Sequence, residues 1–77
     1  MPLELFVSKS CPYCAQLREE LDWNGHDYLV YDVDDDTDAR ARLIELAGPN
    51  PMVPVLVEDG RVTQIGMSGR GCYVGSA

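Results

Sequence analysis

Basic residues are scarce in this chain of 77 residues: one lysine and five arginines stand against thirteen acidic residues, a formal net charge of -7. With no basic patch to release counterions, nucleic acids and anionic membrane surfaces are excluded as partners. Long apolar runs are also missing, since no stretch approaches the roughly 18 residues that cross a membrane as a helix. The opening MPLELFV has no basic n-region, and Glu4 interrupts what a secretory signal would keep apolar. The expected location is the cytoplasm, where thiols stay reduced and a close cysteine pair is catalytic or metal-binding rather than structural. Cysteine is limited to Cys11, Cys14 and Cys72, and histidine to His26. The length allows one small domain, 1–77, whose thin core leaves about 40% of the unfolded surface exposed.

Patterning divides this domain into alternating elements. Leu3, Leu5 and Val7 alternate with Glu4 and Phe6, a strand with both faces partly buried. Pro12 suits the first position of a helix and makes Cys11 its N-cap. Cys14, Leu17 and Leu21 form that helix's apolar stripe, which Asn24-Gly25 closes. Trp23 at its end is expected to cover the core. HDYLVYDV, residues 26–33, reads as a second strand. A second helix spans 37–47, capped by Asp36 or Thr37 and stopped by Gly48 and Pro49. Asp59-Gly60 between two apolar-rich runs marks a two-residue hairpin. The order β-α-β-α-β-β implies a right-handed parallel crossover followed by an antiparallel hairpin, hence an α/β fold on a mixed four-stranded sheet. The acidic run DVDDDTD, residues 32–38, reads as a solvated loop leading into a helix N-terminus, without the glycine and final glutamate of an EF-hand loop.

The chemistry centres on Cys11-Pro12-Tyr13-Cys14. At an N-cap the Cys11 sulfur meets unpaired backbone N–H groups and the positive end of the helix dipole, and Lys9 adds an ammonium two residues away. Both favour the thiolate. Cys11 is then a nucleophile toward disulfides, and Cys14, one turn on, a resolving thiol. The same spacing occurs in zinc sites, but these need four ligands and only His26 and Cys72 remain to complete one. Two small buried cysteines are a further alternative.

Cys-Pro-Tyr-Cys after a first strand, with Val53-Pro54 some forty residues later before an apolar run, resembles the glutaredoxin family, over residues 1 to about 66. The resemblance implies a thioredoxin fold and a glutathione-dependent thiol–disulfide oxidoreductase. It uses glutathione as co-substrate, with no bound cofactor and no metal. Its protein partners would be glutathionylated or disulfide-containing. It further implies a cis Val53-Pro54 bond facing Cys11, with the Val53 backbone presented to an extended peptide. Pro12 and Tyr13 then line the groove, Tyr13 either contacting glutathione or half-packed on the first helical turn. Arg40 and Arg42 lie where the family meets the glycine carboxylate of glutathione, although surface charge is the plainer reading.

The sequence departs from that family in three places. Lys9 lies one residue closer to the first cysteine than is usual, and so either flanks the thiolate or is a solvated loop charge. Met52 replaces the customary threonine before Val-Pro. The family's Gly-Gly, acidic residue and final helix are replaced by a glycine-rich tail, SGRGCYVGSA, too short for a full helix. There Gly69 and Gly71 would form an anion-binding nest and Arg70 would pair with a glutathione carboxylate, or the tail is frayed. Cys72 is either a small tail residue or a third redox thiol. Without a last helix a sheet face is left open, consistent with a monomer or a weak homodimer. Two other functions stay open: a redoxin fed by thioredoxin reductase, and a metal module, zinc or a bridged iron–sulfur cluster, the latter disfavoured by Pro12.

Overall fold

The computed structural model describes residues 3–74. The ends of the expected domain, including tail residues 75–77, lie outside the described residues. Strand β1 (Leu3–Val7) leads to helix α1 (Pro12–Trp23), then β2 (Tyr28–Asp32) and α2 (Thr37–Ala47). Four strands follow: β3 (Met52–Val53), β4 (Val55–Glu58), β5 (Arg61–Ile65) and β6 (Cys72–Tyr73). The main sheet has the order β2-β1-β4-β5, with β1 parallel to β2 and antiparallel to β4. This is the expected mixed four-stranded α/β sheet. A second, two-stranded sheet pairs β3 with β6, and the β-α-β-α-β-β order did not anticipate it.

Local chemistry explains each boundary. Cys11 caps α1 in an extended conformation with Pro12 next in line, and Asn24 closes it just before Gly25 at φ +73°. Asp36 caps α2, its carboxylate accepting the backbone N–H groups of Asp38 at 3.0 Å and Ala39 at 3.1 Å, which satisfies two donors that the first turn leaves without partners. The β4–β5 connection places Asp59 at φ +54° and Gly60 at φ +78°. Two successive positive φ values define the turn whose twist matches a two-residue hairpin.

The helices lie on opposite faces of the sheet. Leu5 and Val7 alternate with Phe6, and all three are buried. Val7 and Val30 share a pocket with Cys14, Ala15 and Arg18 of α1. Phe6 stacks on Tyr31 with ring centroids 5.2 Å apart, beneath Arg42 of α2 at 5.8 Å from the Phe6 ring. Arg42 also forms a two-pronged ion pair with Glu4, its Nη2 donating to Oε1 at 2.6 Å. The hydrogen bond from Arg42 holds the Glu4 carboxyl below its ordinary pKa. Leu17, Leu21, Val33, Leu43 and Val57 complete the core.

Trp23 overturns its expectation: it is 89% exposed and covers nothing. The last turn of α1 is anchored instead by the Tyr28 hydroxyl, which donates to Asp22 Oδ1 at 2.7 Å.

Candidate active site

Cys11 sits where β1 gives way to α1, with no side-chain cap bond of its own and no acidic residue in the first turn. The loop that delivers it is braced from the acidic run. Asp34 accepts the Ser8 hydroxyl at 2.6 Å and the Lys9 backbone N–H at 3.2 Å, while Asp32 Oδ1 accepts the Asp34 N–H at 2.9 Å. The Lys9 ammonium is paired with Asp35, and Asp32 lies 3.9 Å from it. The hydrogen bond to Asp35 raises the lysine pKa above its ordinary value. Lys9 is therefore engaged with the acidic run rather than reserved for the sulfur. Asp34 and Asp35, read as bulk solvated charge, instead position the loop before Cys11.

The Val53-Pro54 bond is cis, as the resemblance implies, and the Cys11 Sγ lies 3.9 Å from the Val53 carbonyl oxygen. Val53 and Pro54 are fully buried. Tyr13 is half-buried, packed against the core from the first turn of α1, and Pro12 is exposed beside it. Arg42 is taken by Glu4, and His26 is exposed. Among the described residues, no group of three or more His, Cys, Asp or Glu side chains is placed to hold a metal ion.

The motif's own pairing is where expectation and structure part. The Cys11/Cys14 dithiol is not the pair joined here, because Cys11 is disulfide-bonded to Cys72, with Cα atoms 5.8 Å apart. Cys14 is a free thiol, 3% exposed. It faces the core one turn along α1, and burial raises its pKa. The physical reason lies in the tail. Met67 and Arg70 exchange both backbone hydrogen bonds, at 2.6 and 3.0 Å, around Ser68 at φ +54° and Gly69 at φ +79°. That turn sends the chain back antiparallel to β3, with Tyr73 opposite Met52 and Cys72 opposite Val53. The expected nest thus gives way to a hairpin: Gly69 makes the turn, Gly71 lies against β3, and the Arg70 backbone closes the pair.

Gly71 explains how the strand comes so close. A Cβ there would stand 2.4 Å from the Val53 carbonyl oxygen and 2.6 Å from Met52 Cγ. The Gln64 amide steadies the turn by donating to the Gly66 carbonyl at 2.9 Å, and the Val74 N–H donates to the Pro51 carbonyl at 3.0 Å beyond it. The sequence signal for this arrangement was Ser68-Gly69, a turn dipeptide that the surrounding glycines obscured.

The glutaredoxin family model matches residues 3–63. The chain belongs to the glutaredoxin family. Among solved structures it is similar to the thioredoxin-like protein BC3987 and to a point mutant of that protein, each at 31% identity and a TM-score of 0.68. The alignments cover 79% of this chain, 82% of BC3987 and 81% of the mutant. No curated protein matches it. Membership of this family assigns the chain thiol redox chemistry in general, and a thioredoxin-like fold agrees with the sheet and helices above. No helix among the described residues is long and apolar enough to cross a membrane.

Proposed function

We propose that this glutaredoxin is a cytoplasmic, glutathione-dependent thiol–disulfide oxidoreductase in which Cys11 is the attacking thiol. When reduced, Cys11 stands at the N-terminus of α1, where unpaired N–H groups and the helix dipole favour its thiolate. The thiolate attacks the sulfur of a glutathionylated protein or a protein disulfide, forms a mixed disulfide and releases the other sulfur as a thiolate. Glutathione is the co-substrate and no bound cofactor takes part.

The single observation that carries this reading is the register of β6 on β3, which puts Cys72 opposite Val53 and beside Cys11. The edge of Val53 accepts an extended segment that presents a cysteine to the Cys11 sulfur, and glutathione or an unfolded substrate strand would be presented the same way. Turnover of a glutathione mixed disulfide, coupled to glutathione reductase, tests it. Wild type should turn over and Cys11→Ser should lose all activity above background.

One observation favours a second reading. The segment where the family grips the γ-glutamyl end of glutathione is spent here on the hairpin around Ser68 and Gly69. A redoxin reduced by thioredoxin reductase needs no such grip. Reduction of the Cys11 disulfide by thioredoxin reductase, with no glutathione-driven turnover, would select it.

A further inference from the structure

Two thiols are candidates to resolve a mixed disulfide on Cys11, and the fold treats them very differently. Cys14 is locked into the core by α1, almost without exposure, and its burial disfavours the thiolate needed to attack. Cys72 rides on a strand that the chain builds for close approach. Ser68 and Gly69 reverse the backbone, Gln64 braces the reversal, and the Val74 N–H ties the far side to Pro51. Between these points, Gly71 admits the strand to a distance that any side chain would block. The outcome is a Cys72 paired across from Val53 and bonded to Cys11.

We infer that Cys72, rather than Cys14, is the resolving thiol, and that segment 71–73 is a built-in strand that takes the substrate's place on the Val53 edge as it resolves. The inference rests on Cys11 being the attacking thiol, as proposed above. In the first step the Cys11 thiolate bonds to one sulfur of a disulfide R–S–S–R′, and R′–S⁻ leaves with the electron pair of the broken bond. In the second step the Cys72 thiolate bonds to the Cys11 sulfur, the bond from Cys11 to R breaks, and R–S⁻ leaves and takes up a proton. The substrate is reduced by two electrons, and the Cys11–Cys72 pair is oxidised by two. A thiol reductant, two molecules of glutathione or one dithiol protein, returns them. Because the strand and an extended substrate need the same edge of β3, docking of β6 and departure of the product are one event. The oxidised protein is closed to further substrate until it is reduced.

The test follows the fate of the mixed disulfide. Reduced full-length protein is mixed with one equivalent of glutathione disulfide, alkylated at intervals and analysed by intact mass and peptide mapping. Cys14→Ser, Cys72→Ser and Gly71→Val are treated identically, and bis(2-hydroxyethyl) disulfide is run in parallel. Wild type and Cys14→Ser should close within twofold of each other to a bond mapped to Cys11 and Cys72. Cys72→Ser should accumulate the Cys11 mixed disulfide, with closure at least tenfold slower. Gly71→Val, which keeps all three thiols, should do the same because its strand cannot dock. Closure that survives Cys72→Ser but not Cys14→Ser, or a Cys11–Cys14 bond in wild type, would overturn the inference. Gly71→Val closing at the wild-type rate would overturn the docked strand. Reaction of Cys11 with the hydroxyethyl reagent but not with glutathione disulfide would sink the glutathione reading alone, since the hydroxyethyl arm still reports which thiol resolves.

Discussion

Two hairpins built from the same backbone device do unrelated work in this protein. Asp59-Gly60 joins β4 to β5 with φ values of +54° and +78°, and Ser68-Gly69 folds the tail with +54° and +79°. The first connects strands of the main sheet, where Val55, Leu56 and Val57 are buried. The second carries β6, whose Tyr73 is 71% exposed, onto a two-residue strand beside Cys11. The first turn is itself exposed and is held by the buried strand that leads into it. The second is held by a few backbone hydrogen bonds, a glycine clearance, one disulfide and the burial of Val74 just beyond β6. One turn closes the main sheet, and the other brings Cys72 to Cys11.

The largest expected effect would come from the core beside the first hairpin. Leu56→Ala removes a nearly buried side chain of β4 and should lower the unfolding free energy by about 2–5 kcal/mol in denaturant titration. Tyr73→Ala on β6 should change it by less than about 0.5 kcal/mol. If both cost the same, Tyr73 is as firmly packed as Leu56 and the contrast fails.

A matched pair of glycine substitutions sharpens the comparison. Gly60 and Gly69 have nearly equal φ, and a Cβ at either would meet nothing within 4 Å, so alanine imposes the same local strain of about 1 kcal/mol. In Gly60→Ala that strain should appear as lost global stability, with the Cys11–Cys72 bond unaffected. In Gly69→Ala it should appear as a roughly fivefold easier reduction of that bond in a glutathione buffer, with the stability of the reduced protein unchanged.

The smallest effect concerns pH. Glu4 has a depressed pKa in the folded protein because of Arg42, so its contribution to stability is present above its unfolded pKa of about 4.3 and is lost as pH falls through the lower folded value. The stability difference between wild type and Glu4→Gln should therefore be greatest near neutrality and shrink below about pH 4. Arg42 is partly exposed, so screening keeps the difference small. A gap that widens in acid would mean the pair is not what stabilises that face.

Much of this protein was legible along the chain because its signals are local. Pro12 after Cys11, Asp36 before Thr37, and Asp59-Gly60 between apolar runs each specify backbone geometry within a few residues. The strand and helix periodicities follow from which face must leave water. The N-cap position of Cys11 was equally accessible, since a cysteine before proline at a helix start sits at the helix dipole wherever the helix goes. Trp23 was misread because burial is not a property of residue type. A large ring at a helix end is covered only if another element reaches it, and here none does.

By itself, then, the sequence determined the order of the two helices and the four main-sheet strands, the α/β sheet and the place of Cys11 at the N-cap of α1, all of which depend on neighbours within a turn or on strand periodicity. The partner of that cysteine was decided only by the tertiary structure. Cys14 is three residues from Cys11, whereas Cys72 is 61 away, and spacing alone favours the nearer thiol. What reverses the preference is three-dimensional: α1 directs Cys14 into the core, while the Ser68-Gly69 turn and the bare backbone at Gly71 bring Cys72 onto the edge of Val53. Contacts between distant segments depend on where separate elements pack, and no local pattern at either cysteine encodes that.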